Sequence, residues 1–319
     1  MRHRSRLTVH SLLILVLIVD ACHTFLHDGP FLSENLAPWT SNASTHSHPP
    51  VIACWVLSSR TLDGLERRSA IRHGWGDSCD YLEFVDNTTV GIDVDWVEKY
   101  EDISAKSYQA WGFMYDKYVD TAQIGTATVD FVLKADTDTY IIWENARKYL
   151  NQFNSSFPHY LGRKFVDARH GPFVAGTAII LSREALRIFQ ERRITGTGPC
   201  SRNEFAAHKQ AEDVALAHCM GDVGIYPANT CDESGAERFM VLSPQQMHSE
   251  ANSSLPSWYM GMSHNKKRGV GCCSMEAIAF HYVSTEELAN KTLVFRRGEW
   301  SWTGRSQSGV VISGNDSSN

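Results

Sequence analysis

Residues 129–140 read Val129-Asp130-Phe131-Val132-Leu133-Lys134-Ala135-Asp136-Thr137-Asp138-Thr139-Tyr140. The compact apolar run from Val129 to Lys134 predicts a buried strand, and helical spacing follows from Trp143 to Phe153. Between them stand two aspartates separated by one residue. In an extended segment alternate side chains point the same way, so Asp136 and Asp138 would present both carboxylates to one point at the strand's end. That arrangement suits a hard divalent cation bridging phosphate oxygens. Asp-x-Asp also arises by chance in solvated turns. The strand before it and the helix after it favour the metal reading.

The same alternation extends outward. Val51–Leu57 and Tyr81–Val85 read as strands, and Gly64–His73 has helical spacing. Ser104–Val119 places Tyr108, Trp111, Tyr115 and Tyr118 three and four residues apart, a helix face for core packing. Thr177–Leu181 reads as a strand, after which Ser182 caps a helix over Arg183–Arg193. Strands alternating with helices predict an open α/β sheet, mostly parallel, with helices on both faces and ligands at the carboxyl ends of its strands.

A 319-residue chain with a net charge of −6 and 21% charged residues has no basic surplus of the kind nucleic-acid binding needs. Arg2, Arg4 and Arg6 precede an apolar stretch densest from Leu12 to Val19. Counted over 7–26, it covers about 20 residues, enough to span a bilayer with its start cytoplasmic. Asp20 and the small-residue site Val19-Asp20-Ala21 equally suit a cleaved signal peptide. Either reading places the body in the secretory lumen. Sequons at Asn42, Asn87, Asn154, Asn252, Asn290 and Asn315, with eight cysteines lacking metal-type spacing, agree with an oxidising lumen. Residues 27–50 are polar and read as a stem, 51–297 as one domain, and 298–319 as a loose polar tail.

A second acidic pair, Glu212-Asp213, opens a short helix reaching about Met220. It reads either as a general base or as a helix start whose acids complement the dipole. His281 falls in an apolar strand read over Ile278–Val283, where a lone histidine is more often a core residue than a ligand.

Several segments together carry a resemblance: Ala53-Cys54-Trp55-Val56-Leu57, Ile71-Arg72-His73-Gly74-Trp75, Lys134-Ala135-Asp136-Thr137-Asp138-Thr139-Tyr140, Tyr160-Leu161-Gly162-Arg163-Lys164-Phe165, Glu212-Asp213-Val214, Gly271-Cys272-Cys273-Ser274 and Phe280-His281-Tyr282-Val283. The chain resembles the core 1 β1,3-galactosyltransferases, fringe-related enzymes with the GT-A fold. That resemblance implies transfer of galactose from UDP-galactose to O-linked N-acetylgalactosamine on glycoproteins, with inversion. It assigns manganese to Asp136, Asp138 and His281, the base to Asp213, and the donor to Arg72, Lys134, Asp136, Arg163 and Gly176. It further implies disulfides Cys54–Cys79, Cys200–Cys219 and Cys272–Cys273, leaving Cys22 and Cys231. A type II Golgi membrane anchor over 7–26, a cytoplasmic tail over 1–6 and a homodimer complete the picture. Where the family has Ser-Gly-Gly-Ala-Gly, this chain has Val174-Ala175-Gly176-Thr177-Ala178, which alters the backbone facing the donor sugar. The alternatives are a non-catalytic chaperone-like relative, against which the intact Asp136, Asp138, Asp213 and His281 argue, and a fringe-like enzyme using another UDP-sugar.

Overall fold

The computed structural model describes residues 49–89, 99–120, 129–249, 255–265, 267, 269, 271–297 and 299–304. The elements run β1 (Ile52–Leu57), α1 (Leu62–Arg72), β2 (Tyr81–Val85), α2 (Ile103–Tyr118), β3 (Phe131–Asp136), β4 (Tyr140–Ile141), α3 (Trp143–Leu150), β5 (Tyr160–Asp167) and β6 (Gly171–Ser182). There follow α4 (Arg183–Thr195), α5 (Arg202–Ala207), α6 (Glu212–Asp222), α7 (Pro244–His248), α8 (Ser257–Met262), β7 (Ala279–Phe280), α9 (Thr285–Asn290), β8 (Lys291–Arg296) and β9 (Glu299–Gly304).

The central sheet has the order β2-β1-β3-β6-β5. β1 pairs in parallel with β2 and β3, whereas β6 is antiparallel to both β3 and β5. Only β6 therefore runs against the other strands. The central strands are apolar throughout because both their faces are covered. On β1, Trp55 meets Trp111 of α2 edge-on at 5.1 Å, while its neighbour Cys54 is bonded to Cys79 beyond a 3₁₀ turn at Trp75–Ser78. Successive side chains of a strand face opposite ways, so these two contacts mark two layers. Ser182 caps α4 by accepting the Ala185 N–H, and Gly196 ends that helix in the left-handed conformation at φ 65°.

All three disulfides expected from the resemblance are present, and Cys231 is unbridged. Cys54–Cys79 spans a sequence separation of 25 and ties the first strand to the segment before the second. Replacing both cysteines by alanine is expected to lower the unfolding free energy by about 3 kcal/mol, chiefly by freeing the unfolded chain. The shift in denaturant midpoint measures this. An unmoved midpoint would count against the bridge as a stabilising element.

Five differences from the sequence reading stand out. β5 was not foreseen, and β6 is longer than Thr177–Leu181. The helix from Trp143 ends at Leu150 rather than Phe153. In the run Ile278–Val283 only Ala279 and Phe280 form a strand, pairing with β4. The loose tail does not begin at 298, because Glu299–Gly304 pairs with Lys291–Arg296 as a hairpin. Trp300 explains the hairpin's docking: it is 6% exposed, packs near Phe280 and Phe295, and donates from Nε1 to Ser274 O at 2.9 Å. Its alternation of polar and aromatic residues was the available signal. Among the described residues no helix is long and apolar enough to cross a membrane. The expected anchor at 7–26, Cys22, the stem up to 48 and the tail beyond 304 lie outside the described residues.

Candidate active site

The carboxyl end of β3 carries Asp136, and the chain turns there rather than continuing extended. Thr139 N–H donates to Asp136 O at 3.2 Å, closing a tight turn through Thr137 and Asp138. The two carboxylates thus converge by a turn and not by strand alternation. The short ladder between β4 and β7 then delivers His281, and Val283 N–H fastens the returning chain to Asp138 O at 2.9 Å. His281 Nδ1 lies 3.3 Å from Asp138 Oδ1 and 3.1 Å from Thr139 Oγ1. Because the Thr139 hydroxyl gives its one proton to Thr177 O at 3.0 Å, it accepts from His281 Nδ1–H. That leaves Nε2 as the ring's lone pair. A hydrogen bond that fixes the tautomer of the ring in this way is a common accompaniment of a ligating histidine.

Asp136, Asp138 and His281 offer ligand atoms within 4.8 Å of one another. Two carboxylates and an imidazole suit a manganese-like or magnesium-like cation better than a thiophilic one. Burial raises the Asp138 carboxyl above its usual range, against the pull of His281.

Behind this cluster sits a buried cation. Lys134, 1% exposed, places Nζ 2.7 Å from Asp136 Oδ1 and 2.8 Å from Glu212 Oε1, and also donates to Gly176 O. Burial alone would disfavour the ammonium, but the two carboxylates outweigh it and hold Lys134 charged. Burial pushes Glu212 upward even beside that cation. Lys134→Met would leave Glu212 and part of Asp136 without a counter-charge, an expected loss of about 3 kcal/mol in stability. Equilibrium unfolding in denaturant checks this, and a change within error would show the pair to be dispensable.

Asp213 stands in the first turn of α6. Its Oδ2 accepts from Gly176 N–H at 3.1 Å and its Oδ1 from Val214 N–H at 2.8 Å. Burial raises its carboxyl despite these bonds. Asp136, Asp138, His281, Glu212, Asp213 and Gly176 all line one cavity of about 820 Å³. Phe165, Phe173 and Trp258 form an aromatic wall to the same cavity, with Trp258 37% exposed.

No protein-family profile matches the chain. It is 26% identical over 245 residues to glycoprotein-N-acetylgalactosamine 3-beta-galactosyltransferase 1 of Xenopus laevis, an alignment covering 74% of this chain and 64% of that protein. In sequence the chain is similar to the core 1 β1,3-galactosyltransferases. It spans 64% of that relative's length. A shorter match, 28% identical over 130 residues, joins 37% of the chain to 13% of human chondroitin sulfate synthase 3. A solved glycosyltransferase involved in glycosylation of the major capsid of PBCV-1 matches with a TM-score of 0.28 and 11% identity, over 44% of this chain and 63% of that one. A likeness of that size carries no argument.

Within this core 1-related chain, Asp136, Asp138, His281, Asp213 and Gly176 are brought together as expected, with Lys134 directly behind them. Arg72 and Arg163 are not. Arg72 is exposed and stacks on Phe84 at 5.1 Å. Arg163 is buried, its Nη1 2.9 Å from Glu237 Oε1 and its Nη2 donating to Tyr259 Oη at 2.9 Å and Asn265 O at 2.6 Å. Neither lines the cavity. Arg163 serves the packing of α8 against β5 instead. The sequence reading gave no role to Thr139, although it lies within the 134–140 segment, nor to Thr177, since a threonine in or beside a strand is unremarkable by itself. It also set Glu212 aside as the neighbour of the base, although Glu212 is the more deeply buried of the two.

Proposed function

We propose that this chain is an inverting glycosyltransferase that moves galactose from UDP-galactose, in β1,3 linkage, onto O-linked N-acetylgalactosamine of glycoproteins. The observation that carries the reading is the meeting of a metal-type ligand set and a separately held carboxylate on one cavity, in a chain similar to a 3-beta-galactosyltransferase. Asp136, Asp138 and His281 would hold the divalent ion, manganese by the family resemblance. When bound, that ion offsets the negative charge gathering on the departing diphosphate.

Asp213 accepts the proton of the acceptor's 3-hydroxyl as that oxygen attacks the anomeric carbon from the face opposite the diphosphate. The N–H groups of Gly176 and Val214 fix the orientation of its carboxylate and leave each oxygen a second lone pair for the incoming hydroxyl. Lys134 holds Asp136 in place from within the core. The wall of Phe165, Phe173 and Trp258 offers an apolar face against which a sugar ring can rest while its hydroxyls turn to the acidic side. Direct displacement requires no protein nucleophile, and the bridged cysteines serve none. A luminal position behind a type II Golgi anchor at 7–26, and association as a homodimer, complete the proposal.

The test is transfer by the full-length chain in detergent from UDP-galactose, UDP-glucose, UDP-N-acetylglucosamine and UDP-N-acetylgalactosamine to an N-acetylgalactosaminyl peptide. Galactose in β1,3 linkage, identified by NMR of the product, is expected. Transfer of a different sugar would replace the donor assignment, and no transfer from any donor would overturn the enzymatic reading.

A further inference from the structure

Two buried polar atoms at the cavity have no partner among the described residues: Glu212 Oε2 and Thr177 Oγ1. Glu212 is 5% exposed and Thr177 7%, and both residues line the cavity. An unpaired buried polar group costs about 1–3 kcal/mol, so two around one wall call for a physical reason. They flank Gly176. A Cβ on Gly176 would come within 2.6 Å of Glu212 Oε1, so the glycine keeps open the space beside the carboxylate.

Both residues also stand on the side of the cavity that holds the metal-type ligands. Lys134 couples Glu212 to Asp136 through hydrogen bonds of 2.8 and 2.7 Å. Thr177 is coupled through its carbonyl to Thr139, which in turn contacts His281. A nucleotide-sugar whose diphosphate lies at Asp136, Asp138 and His281 carries its hexose on the adjoining phosphate, next to this wall. Asp213, held separately by Gly176 and Val214 N–H, faces the acceptor's proton.

We propose that Glu212 and Thr177 form the subsite that recognises the transferred hexose, Glu212 Oε2 and Thr177 Oγ1 each pairing with a sugar hydroxyl. The inference rests on the donor reading above and extends it from the diphosphate to the sugar. The carboxylate and the threonine hydroxyl gain in the complex the partners that the free chain denies them. Discrimination between hexose epimers follows, because a misplaced hydroxyl leaves a buried group unpaired.

The experiment uses the full-length chain with manganese, UDP-galactose, UDP-glucose and UDP-galactose analogues each lacking one ring hydroxyl, on an N-acetylgalactosaminyl peptide. Glu212→Gln and Thr177→Val are assayed beside it, with UDP affinity measured by titration calorimetry. For the unaltered chain, at least one analogue should fall about tenfold or more in kcat/KM. In the matching variant that penalty should shrink to about threefold or less, while UDP affinity stays unchanged. Should a variant fail to fold, the analogue series on the unaltered chain decides. A chain that transfers galactose but treats all analogues within about threefold, or variants that discriminate as the parent does, would overturn the subsite and leave the galactosyltransferase reading standing. A parent inert toward every donor would overturn both.

Discussion

Asp138→Ala is expected to lower turnover by about 10³-fold or more, with full retention of the fold. In the proposed reaction the carboxylate is one of three groups that would hold the ion against the diphosphate, and a thousandfold loss corresponds to about 4 kcal/mol of transition-state stabilisation. Stability should behave in the opposite sense. Burial raises the Asp138 carboxyl, and a carboxyl whose pKa is raised on folding opposes folding at pH above that pKa. Its removal therefore relieves an unfavourable charge at neutral pH, and the melting temperature should hold or rise. The backbone contact from Val283 to Asp138 O persists in the variant, so the turn and the approach of His281 survive. Excess chelator should reproduce the loss in the parent enzyme and add nothing in the variant. A variant with a fifth of the parent's turnover, or a parent active in chelator, would show that the Asp136–Asp138–His281 cluster is not the diphosphate-facing site.

Much of this site could be read from the sequence because its parts lie at the ends of short apolar runs. The run before Asp136 is a central strand, and the segment opening at Glu212 is a helix reaching Asp222. What joins them left no local mark. Strand direction does not alter a residue pattern, so the reversal of β6, which places Gly176 beside α6, was not foreseen. β5 was hidden by Gly162 and Arg163, which interrupt its apolar run. Gly162 has φ 142° and lies where the pairing register with β6 shifts, and a Cβ there would meet Ala178 O at 2.4 Å. Arg163 is tolerated in that strand because Glu237, far along the chain, supplies its counter-charge. Lys134, assigned to the donor, is likewise satisfied internally, its ammonium held by two acids and a carbonyl. Charge buried against distant charge cannot be recognised from neighbours in sequence, which is why Arg163, assigned to the donor, turns into the core toward Glu237, whereas Arg72 stays exposed against Phe84.

Asp213→Asn separates the two roles open to the carboxylate at the start of α6. As a helix-terminal acceptor it takes N–H bonds from Gly176 and Val214. Asparagine retains one carbonyl oxygen for such bonds, and asparagine caps helices about as well as aspartate, so a structural role predicts a stability loss under about 1 kcal/mol and surviving turnover. As a base it must take up a proton, which the amide cannot do at neutral pH. Turnover is then expected to fall about 100-fold or more, while UDP and manganese bind as before, because donor binding needs no base. The pH profile supplies an independent reading. Burial raises the Asp213 carboxyl, so in the parent the acid limb of kcat/KM should lie above the range of an ordinary aspartate, activity failing as pH drops and the base is protonated. That limb should vanish or move in Asp213→Asn. Glu212→Gln serves as the neighbour control, expected to alter sugar discrimination without removing the limb. Turnover surviving in Asp213→Asn but lost in Glu212→Gln would move the base by one residue, and survival in both would leave Asp213 with a purely structural part in the first turn of α6.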